Sequence, residues 1–95
     1  MLQLAAKHGH KSLVNWLIKS GAALDSADKF GFTALHDAAE NGQTSIVRAL
    51  VKAGADPSLT TFKEVGGIAV GTSPTDVAES GGHSAAAKIL RKAMG

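Results

Sequence analysis

The sequence predicts an all-α solenoid, in which antiparallel helix pairs stack side by side and β-turns project at right angles. Three observations carry this prediction. The segment LQLAAKHGHKSLVNWLIKSGA, from Leu2, returns 33 residues later as LHDAAENGQTSIVRALVKAGA, from Leu35. The two share ten identities over residues 1–22, where composition alone gives roughly one or two. A third, weaker copy follows at an offset of 40, matching Gly31 to Gly71, Ala38 to Ala78, Gly42 to Gly82, Leu50 to Leu90 and Lys52 to Lys92. Within each copy, apolar residues recur at helical spacing between glycine markers. A fixed period of this size marks units that bury their apolar faces only against their neighbours.

The first copy, 1–27, begins inside a short helix whose packing stripe is Leu2, Ala5 and Ala6. Its second helix carries Leu13, Val14, Leu17 and Ile18, and closes at Lys19 and Gly21. Met1 stands where that short helix is already under way, without a turn or N-cap before it. Leu2, Leu4 and Trp16 are therefore expected on an open stacking face, covered by more of the array or by a second chain.

The second copy, 28–60, is complete. Asp28-Lys29-Phe30-Gly31 reads as a tight turn, with Asp initiating and Gly free to take positive φ. Thr33 is placed to cap a short helix over about 34–41, with Leu35, Ala38 and Ala39 at i, i+3 and i+4. The paired alanines let adjacent helices approach closely. Gly42 ends that helix as a C-cap. A second helix over about 45–53 packs through Ile46, Val47, Leu50 and Val51, with Lys52 in its last turn and Gly54 closing it.

The offset of 40 against 33 implies seven extra residues before Gly71, assigned to an inserted loop at 61–67. The third copy, 68–95, then serves as a C-terminal cap. Ser73-Pro74-Thr75-Asp76 supplies an N-cap, a proline at the first helical position and an acid in the first turn. Its last helix, over about 84–93, carries Ala86 and Ala87 where the second copy has Ile46 and Val47. It therefore needs less apolar cover and leaves Lys88, Arg91 and Lys92 to water.

The run Thr33-Ala34-Leu35-His36-Asp37-Ala38, inside GFTALHDAAENGQTSIVRALVKAGAD, resembles the ankyrin repeat, marked by a Thr-Pro-Leu-His-x-Ala-like run and a period of 33. Alanine stands here in place of proline. The resemblance covers nearly the whole chain as one full and two degraded copies. It implies that the His36 ring bonds the Thr33 hydroxyl and nearby turn backbone, with Gln3 and Asp76 in its place elsewhere. It also implies a protein–protein interaction module that binds through hairpin tips and the exposed side of each first helix. On this chain those positions are Lys29, Phe30 and Phe32 at the tip, then Asp37, Glu40 and Asn41. Leu4, Lys7 and His8 occupy equivalent places in the first copy, and Val77, Ser80 and Gly81 in the third. Thr33, Leu35, His36, Gly42, Leu50 and Gly54 are assigned to structure. A regulatory or structural segment of a larger enzyme or channel is the alternative.

Composition narrows the chemistry. The chain has 95 residues, no cysteine and 44% hydrophobic content, so it is one globular domain with neither disulfides nor thiolate metal sites. It shows no signal-peptide pattern and no run of membrane-spanning length, and an intracellular, cytoplasmic setting without membrane contact is expected. The net charge is +2 with cations spread along the sequence, which points away from nucleic acid. Gly66-Gly67-Ile68-Ala69-Val70-Gly71-Thr72-Ser73 has the glycine spacing of a phosphate-binding loop. Thr72 replaces the lysine that reaches the phosphates, so nucleotide binding is a remote alternative. His8 and His10 fall on different sides of a helix with no third ligand nearby, so no metal is expected. Ser, His and Asp are present without a nucleophile-elbow motif. No catalytic residue and no cofactor is expected.

Overall fold

The computed structural model describes residues 2–64, 67 and 70–94. Among these residues there are six helices: α1 (Leu2–Lys7), α2 (Lys11–Lys19), α3 (Ala34–Glu40), α4 (Thr44–Ala53), α5 (Pro74–Ser80) and α6 (Ser84–Met94). Among the described residues there is no strand. Successive pairs pack antiparallel, and the pairs stack in two layers. The short inner helices α1, α3 and α5 lie side by side, as do the longer outer helices α2, α4 and α6. This is the predicted all-helical solenoid.

Packing follows the repeat. Ala5, Ala6, Ala38, Ala39 and Ala78 are buried in the inner layer, where a larger side chain would push neighbouring helices apart. Val14, Leu17, Ile46, Val47, Leu50, Ala86, Ala87 and Leu90 fill the space between layers and repeats. Each fully buried Leu or Ile contributes about 1.5–3 kcal/mol relative to exposure. Leu35 and Leu50, in the middle pair, are covered from both sides.

The helix ends match their sequence signals. Thr33 and His36 cap α3 reciprocally, and Ser73 and Asp76 do the same for α5, with Pro74 as the first helical residue. Gly54 takes a left-handed C-cap at φ 105°. Gly42 differs from expectation. Asn41 is the C-cap of α3, and Gly42 follows it at φ 65°. A Cβ on Gly42 would lie 2.6 Å from the His83 ring of the next repeat. Gly42 is thus needed for close approach as well as for the turn.

The seven extra residues lengthen the tip of a hairpin. In the second repeat the Asp28 N–H donates to the Phe32 carbonyl at 3.0 Å, and the Gly31 N–H to the Asp28 carbonyl at 3.0 Å. At the matching positions Thr61 N–H donates to the Thr72 carbonyl at 3.0 Å, and Gly71 N–H to the Thr61 carbonyl at 2.7 Å. Three residues separate the closing pair in one hairpin and ten in the other. Of the phosphate-loop-like run, Gly66, Ile68 and Ala69 lie outside the described residues.

Two sequence expectations are corrected here. Leu2 is buried, while Leu4 and Trp16 are 56% and 62% exposed, so the first repeat exposes part of the anticipated apolar set. The cations are spread in sequence but gathered in space. Lys11, Lys19, Arg48, Lys52, Lys88, Arg91 and Lys92 all stand exposed on the outer helices, which carry no Asp or Glu. A repeat places residues 33 or 40 apart next to one another, which a linear reading does not see.

Candidate interaction surface

The inner helices and hairpin tips border one polar depression. It has a volume of ≈ 340 Å³ and is lined by Gln3, Leu4, Lys7, Asp28 and Asp37. Helix α1 supplies its first three residues, the second hairpin supplies Asp28, and the first turn of α3 supplies Asp37. The layered packing of α1 on α3 sets their separation.

Asp28 organises the tip. Its carboxylate accepts hydrogen bonds from the Phe30 N–H at 2.9 Å and the Phe32 N–H at 3.0 Å through Oδ1, and from Gln3 Nε2 at 3.0 Å through Oδ2. Burial pushes its pKa up, but these bonds outweigh burial and hold the group below its usual value. Asp28 is therefore an anion fixed at the rim of the depression.

Asp37 is the opposite case. It is only 6% exposed, and burial raises its pKa to about 6. A bond from the Gln3 side chain and the charge of Lys7 lower it in part, while Glu40 and Asp28 add repulsion. Sequence reasoning placed Asp37 on the open surface for partner contact. The structure buries it between α1 and α3, because the equivalent helix of the first repeat lies directly over that face.

His36 joins two hairpins. Its Nδ1 accepts from the Thr33 N–H at 3.1 Å and lies 2.9 Å from the Thr33 hydroxyl. A ring nitrogen that accepts carries no proton, so the proton sits on Nε2, which donates to the Thr72 carbonyl at 2.9 Å. Burial lowers its pKa, only partly offset by the Thr72 carbonyl and the Asp28 charge, so the neutral ring is favoured. The bond to Thr33 is the expected one. The reach to Thr72 in the next repeat could not be read from sequence, since it requires knowing where the lengthened tip closes.

The remaining positions divide clearly. Lys7, His8, Lys29, Glu40 and Asn41 are exposed, and Phe30 is half-buried with the Lys29 ammonium 5.2 Å from its ring centroid. Phe32 is 6% exposed and packs its ring 5.1 Å from that of His36, so it belongs to the interior and not to the tip surface. Val77 is buried likewise, whereas Ser80 and Gly81 are open. Sequence reasoning missed Gln3 and Asp28 as lining residues, and missed Phe62, which is exposed on the longer hairpin while its N–H donates to the Phe30 carbonyl at 3.0 Å. A polar residue in the histidine slot, and an aromatic inside an insertion, were the available signals.

Among the described residues no group of three His, Asp or Glu side chains could hold a metal ion, and no helix is long and apolar enough to cross a membrane.

Comparison with known proteins adds an independent line. A family model for ankyrin repeats, in three copies, matches residues 1–61 and so ends at Thr61, where the longer hairpin opens. The chain is 36% identical over 95% of its length to calmodulin-binding transcription activator 6 of Arabidopsis thaliana, covering 11% of that protein. It is 40% identical over 82% of its length to calmodulin-binding transcription activator 5 of the same plant, covering 8%. It is 40% identical over 61% of its length to the ankyrin repeat and KH domain-containing protein mask-1 of Caenorhabditis elegans, covering 2%. The chain thus spans about a tenth or less of the length of these relatives.

Proposed function

Since the chain belongs to the ankyrin-repeat family, whose members are generally non-catalytic protein-interaction modules, we propose that it is itself non-catalytic and binds a protein or peptide across its hairpin tips and inner helices. The observation that carries this reading is the depression between α1, α3 and the second hairpin. Its lining mixes an apolar wall, Leu4, with a fixed anion, Asp28, and a nearby cation, Lys7. Such a surface can seat an apolar side chain and orient a polar one. Lys29, Phe30, Glu40, Asn41 and His8 extend it with exposed groups that the core does not need. The hydrogen-bonded tip makes the surface rigid before a partner arrives, which limits the ordering cost of association. A second reading, a regulatory segment of a longer protein, is favoured by the small share of each relative that the chain covers.

Peptide display against the immobilised chain tests the main reading. Selected binders should lose at least about tenfold in affinity to a Leu4→Glu, Glu40→Lys double variant, and both substitutions are at exposed sites, so stability should stay within about 0.5 kcal/mol. Binders indifferent to that variant and to Phe30→Ala would place recognition elsewhere and overturn the reading.

A further inference from the structure

The outer face carries a feature that recognition through tips and inner helices does not use. Seven of the ten Lys and Arg residues lie on α2, α4 and α6, and all eight acids lie on the inner helices and turns. Among the described residues, only Arg91 of these seven is drawn into an ion pair, with Glu79 of α5. Lys19, Lys52 and Lys92 occupy the same slot in three successive repeats, so they form a ladder with steps of about 10 Å, the spacing of packed helices. Between α4 and α6 the ladder borders a trough of ≈ 420 Å³, lined by Arg48, Val51, Lys88, Ile89, Lys92 and Ala93. Val51 and Ile89 are half-buried and, with Ala93, form the apolar part of its lining.

We propose that this trough docks an acidic amphipathic helix of a partner protein, with its apolar residues on Val51 and Ile89 and its carboxylates on Arg48, Lys88 and Lys92. Charge complementarity sets the sign of the occupant. Three cations border one trough, and no acid on the three outer helices answers them. The apolar lining sets its class. A phosphate chain would meet the cations and leave Val51 and Ile89 uncovered, while a flat bilayer cannot enter a recess between two helices. A helix with leucines one turn apart reaches the recess and keeps glutamates on both flanks. This surface lies behind the inner helices, so the proposal stands whether or not the inner face binds.

The test uses the intact chain and a synthetic helical peptide of about fourteen residues, with two leucines at i and i+4 and glutamates on the flanking positions. We expect saturable binding by fluorescence anisotropy, methyl shifts at Val51 and Ile89, and weakening as salt rises. Replacing the leucines by serine, or the glutamates by glutamine, should each weaken binding at least about tenfold, as should Lys88→Glu in the protein. Glu40→Lys, on the inner face, should leave binding unchanged. Equal affinity for the serine peptide, tighter binding to single-stranded RNA or to phosphatidylserine vesicles, or no response to Lys88→Glu would overturn the proposal. So would the absence of saturable binding. Lys88 is exposed, so its variant tests the surface without disturbing the core.

Discussion

The second and third hairpins close with the same chemistry around loops of very different length. At the base of the short one, an Asp28 carboxylate oxygen accepts the Phe32 N–H at 3.0 Å; at the base of the long one, the Thr61 hydroxyl accepts the Thr72 N–H at 3.0 Å. The flanking backbone bonds are matched as well. Asp and Thr are thus equivalent here because each offers a short side-chain oxygen to the same amide. What the repeat conserves physically is the closure. Most of the added length lies beyond that closure, although the Phe62 and Lys63 N–H groups still reach the Phe30 carbonyl of the second hairpin.

The two hairpins are not independent: the Phe62 and Lys63 N–H groups donate to the Phe30 carbonyl, and the buried His36 ring reaches from the base of one to the base of the other. Removing that ring in His36→Ala takes the partner from the Thr33 N–H, takes one of two donors from the Thr72 carbonyl, which keeps the Thr61 N–H, and opens a void beside Phe32. One buried N–H left unpaired, one part-buried bond lost and a cavity together should cost about 3 kcal/mol, measured by urea unfolding. The equivalent change in the third repeat, Asp76→Ala, loses one exposed capping bond to Ser73 and should cost only about 1 kcal/mol. Comparable losses at the two sites would show that His36 acts only as a helix cap.

The helix pairs and their stacking were legible because they rest on local pattern. Leu35, Ala38 and Ala39, or Leu50 and Gly54, announce their roles by spacing alone. The candidate surface was less legible, because exposure depends on the neighbouring repeat. Leu4, Asp37 and Val77 hold one slot in three copies, yet only Leu4 is open. Phe32 looked like a tip aromatic, but its backbone already closes the turn and its ring therefore points at His36. The basic outer face was hidden for the same reason, since it exists only when distant residues are brought into register.

The smaller difference between the hairpins is one of charge. Asp28→Ala removes the acceptor of two turn amides and the partner of Gln3, and should cost about 2 kcal/mol at pH 7, against about 1 for Thr61→Ala. The pH response separates them further. Because the folded pKa of Asp28 is depressed, its contribution is present above the unfolded value of about 4 and is lost as pH falls through that value to the folded one. Wild type minus Asp28→Ala should therefore shrink below about pH 4, whereas wild type minus Thr61→Ala should show no such step. Parallel curves for the two differences would mean that Asp28 works as a neutral acceptor.

Shortening the long tip is the mildest perturbation and bears most directly on whether length is free. Replacing residues 62–71 by Lys-Phe-Gly reproduces the second hairpin between the Thr61 and Thr72 closing pair. For a flexible loop, going from ten residues to three lowers the closure cost by (3/2)RT ln(10/3), about 1 kcal/mol. The same exchange removes the Phe62 and Lys63 amides, which donate to the Phe30 carbonyl at 3.0 and 3.3 Å. A lysine and a phenylalanine in the shorter tip restore two amides there, so the net expectation is a gain of up to about 1 kcal/mol in a urea titration. A loss of more than about 1 kcal/mol would mean that the contacts of the long tip with the second hairpin hold the stack together and that its length is not free. That outcome would remove the distinction between closure and length on which the comparison of the two hairpins rests.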